Sequence, residues 1–173
     1  MLEIFQFFSR KISQILKENL RGQPIEELEE IRIRSNGSIA LKFTKKQEIL
    51  EKRVTYQDIL ETIQIMCDNS IYSYQNEICN GYITVKGGHR VGISGNCVVE
   101  NGKVININYI SSINFRIAKQ IIGCSNRPLQ FILKVKENTI YNTLIVSPPG
   151  VRKDYSIKRY NKKHKWWNRN NKI

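Results

Sequence analysis

The chain has 173 residues, 40% of them apolar, which suits one ordinary domain with a core, or one domain plus the first strand of another. Its formal charge of +13 is unevenly spread, because residues 152–173 hold nine Lys or Arg against one acid and leave only +5 for residues 1–151; the basicity is a property of the tail, and a nucleic-acid-binding domain is not implied. Apolar runs such as 4–8 and 143–146 fall far short of the roughly 20 residues of a membrane span.

The N-terminal apolar residues precede Arg10 and Lys11, the reverse of the charge order of a secretory signal, so a cytoplasmic chain is expected. Cys67, Cys79, Cys97 and Cys124 are separated by 12, 18 and 27 positions. That spacing offers no metal-binding pair, and reduced core thiols are expected. No internal repeat is visible.

Along the chain, Leu2, Phe5, Phe8, Ile12, Ile15, Leu16 and Leu20 form the stripe of an amphipathic helix ended by Gly22 and Pro24. Residues 30–34 and 39–43 flank Asn36-Gly37, the pattern of a β-hairpin. Thr55 with Asp58 three residues on marks a helix start, with Ile59, Leu60, Ile63 and Met66 on its buried face. A second helix is expected over 70–79 through Ile71, Tyr74 and Ile78.

From Gly81 the period changes to two. Strands are expected at 82–85, 89–93, 97–100, 104–107 and 113–117, with turns at Gly87-Gly88 and Asn101-Gly102. Residues 125–134 suit a short helix, and 143–146 form the kind of continuous apolar run that makes a buried parallel strand. Tyr72, Tyr74 and Tyr82 fit packing better than a ligand platform.

The run 143–146 leads into Ser147-Pro148-Pro149-Gly150. A buried strand followed by such a loop is how a phosphate-binding Walker A segment begins, although SPPG alone is also an ordinary turn. More of the chain points the same way: LEEIRIR (28–34), SIYSYQNEICNGYITVKGGHRVGISG (70–95), ISSINFRIAKQIIG (110–123) and NTLIVSPPG (142–150). In these segments, which cover roughly residues 25–150, the chain resembles the stage III sporulation protein AA family, relatives of the VirB11-like and type II secretion ATPases.

The resemblance implies an α+β N-terminal domain of a secretion-type ATPase, helices plus a mainly antiparallel sheet, running on to the first strand of a RecA-like P-loop domain. The implied division is 1–24, an amphipathic helix; 25–138, the α+β domain; 139–151, the first strand and incomplete P-loop; and 152–173, a basic tail without family likeness. It further implies a hexameric ATPase, using ATP and Mg2+, that works with other subunits of the channel joining mother cell and forespore, on the mother-cell side of the membrane.

In the family the loop reads SPPGxGKTT, whereas Val151, Arg152, Lys153 and Asp154 follow Gly150 here. Glycine at position 152 would let the main chain approach the phosphates, and Arg152 fills that space. A threonine hydroxyl at 154 would reach the magnesium ion, and Asp154 brings a carboxylate to the polyphosphate. Ser147, Pro148, Pro149, Gly150 and Lys153 therefore form an incomplete ATP site, and neither ATP binding nor hydrolysis is expected of the chain.

With a suitable choice of synonymous codons, residues 154–160 read one base later spell Thr-Thr-Leu-Leu-Lys-Asp-Ile, and an AGG codon at Arg152 yields Gly then Lys. A single inserted nucleotide accounts for the departure in that way. Residues 154–173 also lack periodicity and hold Trp166-Trp167 without apolar neighbours.

By resemblance Arg90 and Arg116 face the nucleotide or the next subunit, a task that the planar guanidinium fork suits. Read without the family, Gly87-Gly88-His89-Arg90 is a turn followed by a solvated His-Arg pair. No carboxylate or nucleophile neighbours His89 in sequence, so no base role is assigned to it. The alternatives to an ATPase subunit are a non-catalytic interaction module of the same channel, and a basic protein whose tail, with Tyr160, Trp166 and Trp167, binds nucleic acid by stacking.

Overall fold

The computed structural model describes residues 2–119, 131–134, 139–144 and 146. Two compact units divide the chain at Ala118 and Lys119.

The first unit begins with a 3-10 segment, Leu2–Phe7, and a helix α1, Arg10–Asn19, in place of the single helix expected over 2–20. Ser9 is the reason for the break. Its Oγ accepts from the Ile12 N–H at 3.4 Å, capping α1, while its own N–H donates to Thr62 Oγ1 at 3.1 Å. Ile4, Phe5, Phe7 and Phe8 are all buried before that point.

Strands β1 (Leu28–Arg34) and β2 (Ile39–Phe43) form the expected hairpin, with Asn36 at a φ of 57° in the turn. A further strand, β3 (Gln47–Leu50), pairs with β2. Helix α2 (Tyr56–Met66) starts in the expected capping box: the Thr55 N–H donates to Asp58 Oδ2 at 2.8 Å, and the Asp58 N–H donates to Thr55 Oγ1 at 3.2 Å. Its buried side chains include Ile59, Thr62, Ile63 and Met66, whereas Leu60 is half-buried. Lys11 Nζ, 2.8 Å from Asp58 Oδ2, ties α1 to α2.

The helix expected over 70–79 is divided into a 3-10 turn, Ile71–Tyr74, and a short α3, Gln75–Cys79. Then come β4 (Tyr82–Val85), β5 (His89–Glu100) and β6 (Lys103–Arg116), giving a six-stranded sheet in the order β3-β2-β1-β6-β5-β4 with every pairing antiparallel. The fold is α+β. Where four short strands were expected between 89 and 117 there are two long ones. Irregular register between Ser94 and Gly95, Asn96 and Cys97, and Val98 and Val99 absorbs the breaks in alternation as bulges.

One sheet face carries Ile31, Ile33, Ile39, Leu41, Val91, Ile93, Ile113 and Phe115, all buried, in one cluster with Phe8 and with Ile12, Leu16, Ile59 and Ile63 from the helices. Two expectations about small clusters are corrected. Tyr72 is 90% exposed rather than packed, because the 3-10 turn directs Ile71 and Tyr74 inward instead. Cys67 is buried, and burial pushes its thiol up to about 11, but Cys97 is exposed, beside a bulge that interrupts the inward alternation of β5. Cys67, Cys79 and Cys97 are free thiols; Cys124 lies outside the described residues.

In the second unit, of the helix expected over 125–134 Phe131 and Ile132 are helical, Leu133 and Lys134 form a strand instead because they pair with residues 139–140, and residues 125–130 lie outside the described residues. Strands β7 (Leu133–Lys134) and β8 (Thr139–Ile140) pair antiparallel, and Lys134 Nζ stands 4.9 Å above the Tyr141 ring. The parallel strand expected at 143–146 is not formed by its described residues: Thr143, Leu144 and Val146 are in no strand, and Leu144 and Val146 are exposed. A parallel strand needs neighbours on its edges and cover on its faces, and no described strand pairs with this segment.

Gly95 is the most closely approached of the described glycines. A Cβ there would lie 2.0 Å from the Tyr109 carbonyl oxygen, a backbone atom that cannot rotate away. Gly95→Ala is expected to cost about 1–3 kcal/mol as an overpacking substitution, read as a lower midpoint in urea. An unchanged midpoint would show that the strands separate there at no cost.

Candidate functional site

The face of the sheet opposite the core is set by register. Since side chains alternate, the burial of Ile31, Ile33, Ile113, Phe115, Val91 and Ile93 places Glu30, Arg32, Arg34, Asn114, Arg116, Arg90 and Gly92 together on the other side. Arg90 and Arg116 are direct partners across β5 and β6, and Glu30 is the direct partner of Arg116 across β1 and β6. Arg32 stands opposite Asn114, which in turn stands opposite Gly92. Lys42 extends the first row onto β2.

Glu30 is only 6% exposed. The Arg32 Nε–H donates to its Oε1 at 2.7 Å, and the Asn114 side chain also hydrogen-bonds to it. Burial alone would raise the affinity of this carboxyl for a proton. The bonds from Arg32 and Asn114, with the charges of Arg32 and Arg116, outweigh burial and hold Glu30 below its ordinary range. The carboxylate is thus committed mainly to Arg32.

That leaves the two arginines opposite each other without an ion-pair partner among the described residues. Arg90 lies with its guanidinium carbon 4.2 Å above the Tyr82 ring, which orients it without neutralising it. Like charges directly across a strand pair repel. An anion or a carboxylate-bearing surface brought between Arg90 and Arg116 would relieve that repulsion, and two planar forks in one row suit phosphate oxygens.

His89 departs from the solvated pair expected with Arg90. It is half-buried on the core face, its ring against Phe7 and Phe115 at 5.7 and 5.2 Å. Among the described residues no cluster of His, Cys, Asp and Glu is arranged to hold a metal ion. Ser147, Pro148, Pro149, Gly150 and Lys153, the expected ATP-binding loop, lie outside the described residues. Glu30 and Asn114 were not singled out in the sequence, although the alternation of LEEIRIR already places Glu30 on the arginine side of β1.

The comparison that decides the family is the match of the description "sporulation stage III, protein AA" to residues 1–168. The chain belongs to the stage III sporulation protein AA family. A curated member, stage III sporulation protein AA of Bacillus subtilis (strain 168), is 33% identical over 150 residues, covering 83% of this chain and 48% of that one. The chain spans about half the length of that relative.

Among solved structures, the ATPase DotB of Legionella pneumophila superposes with a TM-score of 0.51 at 11% identity, covering 87% of this chain and 41% of that chain. This is a likeness of fold. The VirB11 ATPase of the Brucella suis type IV secretion system, solved with sulphate, gives a TM-score of 0.40 at 12% identity over 90% of this chain and 44% of that one, too slight a likeness to argue from. The stage III sporulation protein AA family chain therefore shares the α+β architecture of a secretion ATPase, with the Arg90–Arg116 row on the uncovered face of its sheet.

Glu30→Gln keeps the shape and removes the charge that Arg32 and Asn114 share, with an expected loss of about 1–2 kcal/mol at neutral pH. The folded pKa of Glu30 lies below its ordinary 4.5, so its contribution is complete above that value and is lost as pH falls below it. The difference between the two proteins in urea melts is therefore expected to close on acidification below pH 4.5. A difference that persists unchanged in acid would mean that ionisation of Glu30 plays no part.

Proposed function

We propose that this chain is a non-hydrolysing form of the sporulation ATPase, keeping the N-terminal sheet through which a subunit meets its neighbours in the channel between mother cell and forespore. The observation that carries this reading is the pair Arg152 and Asp154, standing where the family loop has glycine and threonine. A triphosphate is cradled by bare main chain and by a hydroxyl on its metal ion. An arginine side chain fills the first requirement's space, and a carboxylate repels what the second would attract.

In this reading ATP and Mg2+ are cofactors of the intact family and are not bound by this chain. Ser147, Pro148, Pro149, Gly150 and Lys153 are the remnant of the loop. Arg90 and Arg116, directly paired on the uncovered sheet face, are the groups through which the domain meets phosphate in an intact subunit or a carboxylate of the adjacent one. The partners are other channel subunits and copies of the family's own ring, and the place of action is the mother-cell face of the membrane. Family membership supports the sporulation part of this reading, and the DotB-like architecture supports the secretion-ATPase part.

The departure at 152–154 is attributed to one inserted nucleotide. The gene is then expected to encode Gly-Lys-Thr-Thr-Leu-Leu in a shifted frame after codon 151; the absence of that sequence from every frame would end the attribution. Independently, purified chain is expected to show no magnesium-dependent ATP turnover above a blank. Turnover, or tight saturable nucleotide capture, would overturn the non-hydrolysing reading.

A second reading, an interaction module that never catalysed, shares the sheet and its arginines. Capture of an intact family ATPase by this chain, lost when both Arg90 and Arg116 are changed to Ala, is the result expected under either reading, and the DNA separates them.

A further inference from the structure

His89 is held more closely than a surface turn needs. Gly87, at a φ of 88°, has no Cβ; one added there would come within 2.9 Å of His89 Nε2. The ring occupies that space, meets Phe7 edge-on and lies tilted over Phe115. Its Nδ1 accepts from the Ala118 N–H at 3.0 Å. An acceptor at Nδ1 fixes a neutral ring with its proton on Nε2.

Ala118 is the last residue of the first compact unit. The residue before it is held differently: the Ile117 N–H donates to the Glu29 carbonyl at 2.9 Å, from the edge of β1. The chain leaving β6 is thus fastened by a backbone acceptor at Ile117 and, one residue later, by an imidazole nitrogen that can itself take a proton.

We propose that His89 is a proton-sensitive latch on the segment leaving the sheet: the neutral ring holds the Ala118 N–H, and the imidazolium, which has no lone pair at Nδ1, releases it. Balance is simple, since one proton from solvent adds to Nδ1 and one hydrogen bond is lost. The charged groups on the elements around the ring are Glu3 on the N-terminal 3-10 segment, Lys86 in the turn, and Arg90 and Arg116, whose side chains rise from the opposite sheet face. Burial lowers the proton affinity of His89 below the ordinary 6.5, and Glu3 opposes this in part. The latch is therefore closed above pH 6.5 and opens as pH falls below it.

The test is amide exchange on the full chain by NMR, with rates normalised to an unstructured peptide at each pH, alongside the titration of the His89 ring carbons. Protection of the Ala118 amide is expected to fall about tenfold, the equivalent of one hydrogen bond, in step with the ring, while that of Ile117 stays constant. In His89→Asn, whose side-chain oxygen can replace Nδ1 as acceptor and does not titrate, Ala118 is expected to stay protected across the same range. Constant protection of Ala118 through the ring's titration in the unmodified chain would overturn the proposal. So would a parallel fall at Ile117, which would report general loosening, or an equal fall in His89→Asn.

Discussion

The pairing of β1 with β6 is the constraint on which the sheet and its uncovered face depend. Residues 30–34 must find residues 112–116 across more than half of the described first unit, a closure that local propensity cannot arrange and that pays only once Ile31 and Ile33 are buried with Phe115 and Ile113. Because side chains alternate, the same register that sends these four inward lines up Glu30 with Arg116 and Arg32 with Asn114 on the other side. A slip of one residue would exchange the two sets, putting arginines into the core. The geometry of the polar row is therefore enforced by the apolar one.

Charge on that row is distributed unequally. Glu30, nearly buried, is occupied by Arg32 and Asn114, and Arg90 rests on Tyr82. The opposition of Arg90 and Arg116 is left unrelieved by any ion pair among the described residues. Their like charges repel across the strand pair, offset in part by the Tyr82 ring under Arg90 and the Glu30 carboxylate opposite Arg116.

Much of the local structure could be read from residue chemistry. Asn36, Gly87, Gly88, Asn101 and Gly102 adopt the positive φ angles of the hairpin turns in which they stand, and Thr55 with Asp58 caps its helix as its spacing indicates. What escaped has distant or compensating causes. The break at Ser9 depends on Thr62, 53 residues away. β3 holds only Ile49 and Leu50 among polar neighbours and owes its existence to β2. The fusion of four strands into two depends on bulges that hide the alternation. Of the candidate site, Arg90 and Arg116 were marked by family resemblance, but their direct opposition follows from register, and the parts played by Glu30 and Asn114 follow from burial, which a single strand's pattern does not state.

The long β5–β6 hairpin outruns its neighbours: β4 reaches only to Gly92 and β1 only from Ser112 onward. Beyond those points lies a ribbon whose charged residues, Glu100 and Lys103, sit only at its turn, a sequence that in flat form would invite stacking of one molecule on the next. Its irregular register at three places and the close approach at Gly95 twist it out of plane. The same kinks that obscured the strands in the sequence deny a passing chain a straight template, and so guard an arm that carries almost no charge to keep others away.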